Sequence, residues 1–133
     1  MKTLKKYAGV LMMLTLLVSF TSCEDDETIF DRIVGRTWIG DLGFYVNGEP
    51  VESGITFKSN GFGVDEQFYY DWGDRAAVLD VRWWIDHGDL YLDYGNRYPL
   101  LVLEAVYVDG RYLTGRLYSG NIDQGIVTLE MVD

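Results

Sequence analysis

Few side chains in this chain of 133 residues could do covalent, acid–base or metal chemistry. There is one histidine, His87, and one cysteine, Cys23. A histidine triad or a histidine metal cluster would have to be built around His87. That residue sits in Asp86-His87-Gly88-Asp89, between two alternating segments. A turn in which Asp and Gly serve the backbone accounts for the tetrapeptide without catalysis. No Gly-x-Ser-x-Gly elbow is present, and no second Cys or His could complete a zinc site. Carboxylates recur at Asp71, Asp74, Asp86, Asp89 and Asp109 without the alternate spacing and terminal Glu of a calcium loop. They read as solvated turn residues. A carboxylate pair for glycoside hydrolysis depends on a three-dimensional separation, and so short a chain disfavours it. No catalytic residue, metal or cofactor is expected.

Aromatic residues carry more signal: 4 Trp, 10 Tyr and 6 Phe. In the segment from Leu79 to Ile85, Leu79, Val81, Trp83 and Ile85 share one face, and Asp80, Arg82 and Trp84 the other. This is the period of a half-buried strand. By the same alternation Tyr91, Tyr112 and Tyr118 face away from the aliphatic set. Trp84, Tyr91, Tyr112 and Tyr118 are therefore candidate ligand contacts. Outward rings beside carboxylates have the chemistry of a carbohydrate-stacking platform, although cross-strand aromatic pairs also stabilise sheets without any ligand. Phe62, Phe68, Tyr70 and Trp72 are expected to line an interior, either filled or hollow.

The elements that must position these rings are strands. Alternation and glycine turns predict eight, over 37–46, 54–58, 62–72, 77–86, 89–94, 100–108, 111–119 and 126–132. Ser59-Asn60-Gly61 and Val108-Asp109-Gly110-Arg111 read as hairpin turns, the second as a type I′ turn on Asp-Gly. No segment sustains apolar periodicity of 3.6. Eight consecutive antiparallel strands close into an up-and-down barrel, which removes exposed edges. The expected class is all-β, with a β-sandwich as the alternative. Gly35-Arg36-Thr37-Trp38 loosely resembles the Gly-x-Trp start of lipocalins, one residue longer. Residues 35–133 are similar to small lipocalin-like domains of bacterial lipoproteins.

The N-terminus carries an address. Lys2, Lys5 and Lys6 precede an apolar stretch from Tyr7 to Phe20 that is short of the roughly 20 residues of a membrane span. Phe20-Thr21-Ser22-Cys23 resembles the lipobox of bacterial lipoproteins, with Phe20 where an aliphatic residue is commoner. Glu24-Asp25-Asp26-Glu27 resembles the surface-export signal of Bacteroidota lipoproteins. The resemblance implies a signal peptide over 1–22, acylation of Cys23 and an acidic linker before a domain at 35–133. It also implies a permanent tether, because more than one acyl chain holds a protein stably. The expected location is the outer membrane, at the cell surface.

Removing residues 1–22 leaves 111 residues, with eight basic against 21 acidic side chains and a formal charge of −13. Such a chain lacks the basic stripes that nucleic acid requires. The composition and the lack of a catalytic constellation point first to a non-enzymatic, membrane-tethered binding or accessory protein of the cell envelope. Its partner would be a glycan or an envelope protein. A lipocalin-like carrier of a small apolar ligand is the second reading, and a carboxylate-based hydrolase the third.

Overall fold

The computed structural model describes residues 25–71 and 73–132, so Cys23 and Trp72 lie outside the described residues. Among the described residues one helix, α1 (Asp26–Ile33), precedes nine strands: β1 (Thr37–Gly40), β2 (Tyr45–Val46), β3 (Glu49–Phe57), β4 (Phe62–Tyr69), β5 (Arg75–Asp86), β6 (Asp89–Asp93), β7 (Leu101–Asp109), β8 (Tyr112–Ser119) and β9 (Ile122–Val132). A single 3-10 turn, Gly95–Arg97, joins β6 to β7. The strands follow one another around the sheet, every pair antiparallel. β1 pairs with both β9 and β3, which closes a ring of eight strands. β2 stands outside that ring as a short hairpin arm on β3. The molecule is thus a lipocalin-like, closed up-and-down barrel rather than a sandwich.

Turn chemistry sets the register. Asn47-Gly48 and His87-Gly88 both lie in the left-handed region, with φ of 53° and 78°, and of 52° and 79°. Both are two-residue type I′ connections, between Val46 and Glu49 and between Asp86 and Asp89. The β7–β8 hairpin differs from the Asp-Gly expectation. Asp109 pairs with Tyr112, so Gly110 and Arg111 are the central residues. Gly110 at φ 59° takes the first central position, as a type II′ turn requires.

Two expected segments fold differently. The run 37–46 is not one strand: it breaks after Gly40, and Leu42 and Phe44 turn inward as buried loop residues. The presumed acidic linker is largely α1. Glu27 and Asp31 are exposed, while Ile29 and Ile33, spaced i and i+4, are fully buried. Asp25 caps the helix by accepting from the Thr28 amide at 2.8 Å.

The helix plugs one end of the barrel. Phe30 stacks on Trp83 with ring centroids 5.0 Å apart, and Trp38 donates its indole N–H to the Ile33 carbonyl at 3.2 Å. The Asp26 carboxylate accepts from the amides of His87 and Gly88 at 3.0 and 2.8 Å, latching the helix start to the β5–β6 turn. Arg32 donates to the Val108 carbonyl at 2.9 Å. Beneath the helix lie Trp38, Ile55, Phe57, Trp83, Leu90, Leu113 and Leu129, all buried. The far end holds the loops after β1, β4, β6 and β8.

Candidate functional site

The outer wall gathers three of the four predicted contact residues. Trp84 pairs with Tyr91, Tyr91 with Val102, and Val102 with Tyr118. These four residues form one lateral row across β5, β6, β7 and β8. The rings of Trp84 and Tyr91 stack at 5.3 Å with their planes 4° apart. Trp84 stays 42% exposed, and Tyr91, Val102 and Tyr118 are half-buried. β4 begins at Phe62, opposite Arg82, so Trp84 has no paired strand residue on that side. Tyr112 is not part of the row. It lies at the opposite end of β8, paired with Asp109 and Glu130, and is exposed.

Beside this row runs a surface groove of about 630 Å³, lined by Lys58, Phe62, Val64, Asp80, Arg82 and Asp93 among others. The Arg82 guanidinium lies 5.3 Å from the centre of the Phe62 ring. The registers Phe62–Arg82 and Arg82–Asp93 place these residues one step along the strands from Trp84 and Tyr91. Aromatic faces, a cation and two carboxylates thus share one stretch of wall. Flat rings with neighbouring donors and acceptors can hold a sugar ring by stacking and by hydrogen bonds to its hydroxyls.

His87 belongs to the turn. Its side chain is 92% exposed, and Nδ1 lies 2.7 Å from Asp86 Oδ1. Among the described residues no group of three His, Cys, Asp or Glu side chains converges as a metal site.

A second constellation is one that sequence reasoning missed. β4 faces the opposite way from the expected one. Gly63, Asp65 and Gln67 point inward, while Phe62 is 49% exposed and Tyr70, beyond the strand, is also exposed. Leaving a Phe half in water forgoes part of the roughly 1.5–3 kcal/mol that full burial yields. Burying a carboxylate adds a further cost. Asp65 and Gln67 are fully buried, as is Ser53 across the strand pair from Gln67. Asp65 Oδ2 accepts from Tyr94 Oη at 2.8 Å, Ser53 Oγ at 3.0 Å and Gln67 Nε2 at 3.3 Å. Asp65 Oδ1 and Gln67 Oε1 have no donor, the Gly54 amide acting on the carboxylate without bonding Oδ1. Burial pushes the Asp65 carboxyl above its ordinary range, against the pull of Tyr94, Ser53, Gln67 and the Gly54 amide. Burial and then the Asp65 charge push the Tyr94 phenol well above its usual value. The sequence signal points the other way: the stretch from Phe62 to Phe68 alternates with its polar residues at the positions that turn inward.

Comparison with protein families, curated proteins and solved structures finds no match to this chain. The functional reading therefore rests on the chain's own geometry.

An aromatic cluster adjoins the polar one through Tyr94. Phe44 from the β1–β2 loop meets Tyr94 at 5.2 Å and Tyr98 at 4.7 Å, and Tyr94 meets Tyr98 at 5.9 Å. The loop itself is tied down: Gly43 donates its amide to Asp41 Oδ1 at 2.8 Å. Asp41 also bonds the Tyr70 phenol, which burial and that carboxylate push up to about 12. Phe44 and Tyr98 also line an open cleft of about 330 Å³.

Proposed function

We propose that this protein is a non-enzymatic binding protein tethered to the bacterial cell envelope through acylated Cys23, and that its outer wall contacts a glycan. The observation that carries the reading is the continuous row Trp84–Tyr91–Val102–Tyr118 beside the groove of Phe62, Arg82 and Asp93. Stacking on Tyr91 orders the Trp84 indole while leaving it 42% exposed, so little side-chain entropy remains to be lost on binding. The filled helix end of the barrel supports contact on the wall over carriage of a large apolar ligand inside. The negative overall charge favours neutral polysaccharides over strongly anionic ones.

Affinity electrophoresis of the full chain against envelope and host polysaccharides tests this. Wild type is expected to be retarded by at least one neutral polysaccharide. Trp84→Ala and Tyr91→Ala should each lose most of that retardation, while Tyr112→Ala, outside the row, keeps it. Equal loss in all three variants, or no retardation of wild type, overturns the reading.

A further inference from the structure

The far end of the barrel presents a second surface, unrelated to the aromatic row. Two acceptor atoms there, Asp65 Oδ1 and Gln67 Oε1, are sealed from solvent with no donor. They belong to residues two apart on β4, on the same inward face. Buried polar atoms are almost always paired, so two orphans side by side mark a place where a donor belongs. Phe44, Tyr94 and Tyr98 pack on one another next to the pair, with Tyr94 bonded to Asp65. Phe44 and Tyr98 line the open cleft directly, with Leu42, Tyr45 and Leu101 supplying apolar wall. Tyr94 packs against both Phe44 and Tyr98 of the cleft wall, and its hydroxyl holds Asp65 Oδ2 at 2.8 Å.

We propose that the far end of the barrel binds a small primary ammonium compound. Its charged head donates to Asp65 Oδ1 and Gln67 Oε1, and its apolar body lies against Phe44 and Tyr98. The choice of ligand follows from the donor count. An ammonium group has three donors and no acceptor, so it satisfies both orphans and leaves no lone pair facing the carboxylate. A hydroxyl has one donor and satisfies one orphan. An anion would meet only acceptors. The desolvation of the cation is offset by the Asp65 charge and by the faces of Phe44, Tyr94 and Tyr98, which attract cations. The inward turn of β4, costly for folding alone, is what such a site requires. Entry needs the Phe44 side chain to rotate aside while its backbone stays held by the Val51 amide on its carbonyl at 3.1 Å.

The test titrates the full-length protein, labelled with ¹⁵N, with 2-phenylethylammonium and separately with 2-phenylethanol. The two probes share a body and differ in the head. The ammonium compound should bind saturably at millimolar concentration or below, and shift the Gln67 side-chain amide together with the Ser53 and Gly54 backbone amides. It should bind at least about tenfold more tightly than the alcohol. Asp65→Asn should abolish that preference while leaving the barrel folded. Equal affinity for the two probes overturns the proposal. So does an unmoved Gln67 side chain while Leu42–Tyr45 shift, or the absence of saturable binding. Where Asp65→Asn fails to fold, the comparison of the two probes on wild type decides alone.

Discussion

Trp83 and Trp84 are adjacent in sequence and should behave oppositely when truncated. Trp83 is 2% exposed, stacks on Phe30 at 5.0 Å, meets Phe57 edge-on at 5.0 Å, and donates its indole N–H to the carbonyls of Lys58 and Phe62 at 2.9 and 3.1 Å. Trp83→Ala opens a cavity under α1 and strips the β3–β4 turn of that donor. Large-to-small core changes of this kind cost about 3–5 kcal/mol. Trp84→Ala removes an exposed ring and one stacked contact with Tyr91, worth about 0.5–1.5 kcal/mol. For a domain near 100 residues, 1 kcal/mol moves the melting temperature by roughly 4 °C. The expected losses are therefore about 12–20 °C for Trp83→Ala and about 2–6 °C for Trp84→Ala. Thermal melts and urea titrations of the full chain would measure them. An unchanged urea slope would confirm that the native state and not the denatured ensemble is the source. Hydrogen exchange adds a local readout: the amides of α1 should lose protection in Trp83→Ala alone, because Phe30 loses its stacking partner. Equal losses, or a larger loss at Trp84, would refute the strand facing from which both the core and the outer row are built.

Other perturbations have defined outcomes. Asp65 holds its proton more tightly when folded than when unfolded, so the native state binds more protons as pH rises above the ordinary carboxylate range. Wild type should therefore lose stability relative to Asp65→Asn as pH rises above about 4, and urea titrations of both across that rise would show a widening gap. Asp26→Ala leaves the His87 and Gly88 amides without their acceptor and should cost about 1–2 kcal/mol, with faster hydrogen exchange at those two amides. A Cβ at Gly40 would run into the Leu129 side chain and lie 2.9 Å from the Thr128 carbonyl, where β1 closes the barrel. Gly40→Ala should cost about 1–3 kcal/mol by calorimetry. Cys23→Ala should leave the precursor uncleaved and unacylated, which fractionation and mass spectrometry of the N-terminus would reveal.

Local rules were enough for most of the strands and for the face that Trp84 presents. Alternation from Leu79 to Ile85 is a property of the pleat, and the structure buries Leu79, Val81 and Trp83 while exposing Asp80, Arg82 and Trp84. Turn residues with obligatory backbone conformations, such as His87-Gly88, marked hairpins for the same local reason. Three things were decided only by the tertiary structure. α1 was hidden because Ile29, Phe30 and Ile33 are too few apolar residues in an acidic stretch to show a helical period, and they make a buried stripe only when the open mouth of a barrel lies beneath them. The row joining Trp84, Tyr91 and Tyr118 needed the registers of four strands, and the same registers set Tyr112 apart. The inward turn of β4 defied the sequence pattern outright, because the faces of a strand follow its pairing with neighbours and not its own hydrophobicity. β3 places Ser53 and Ile55 inward, and β4 follows by register, carrying Asp65 and Gln67 into the core with it.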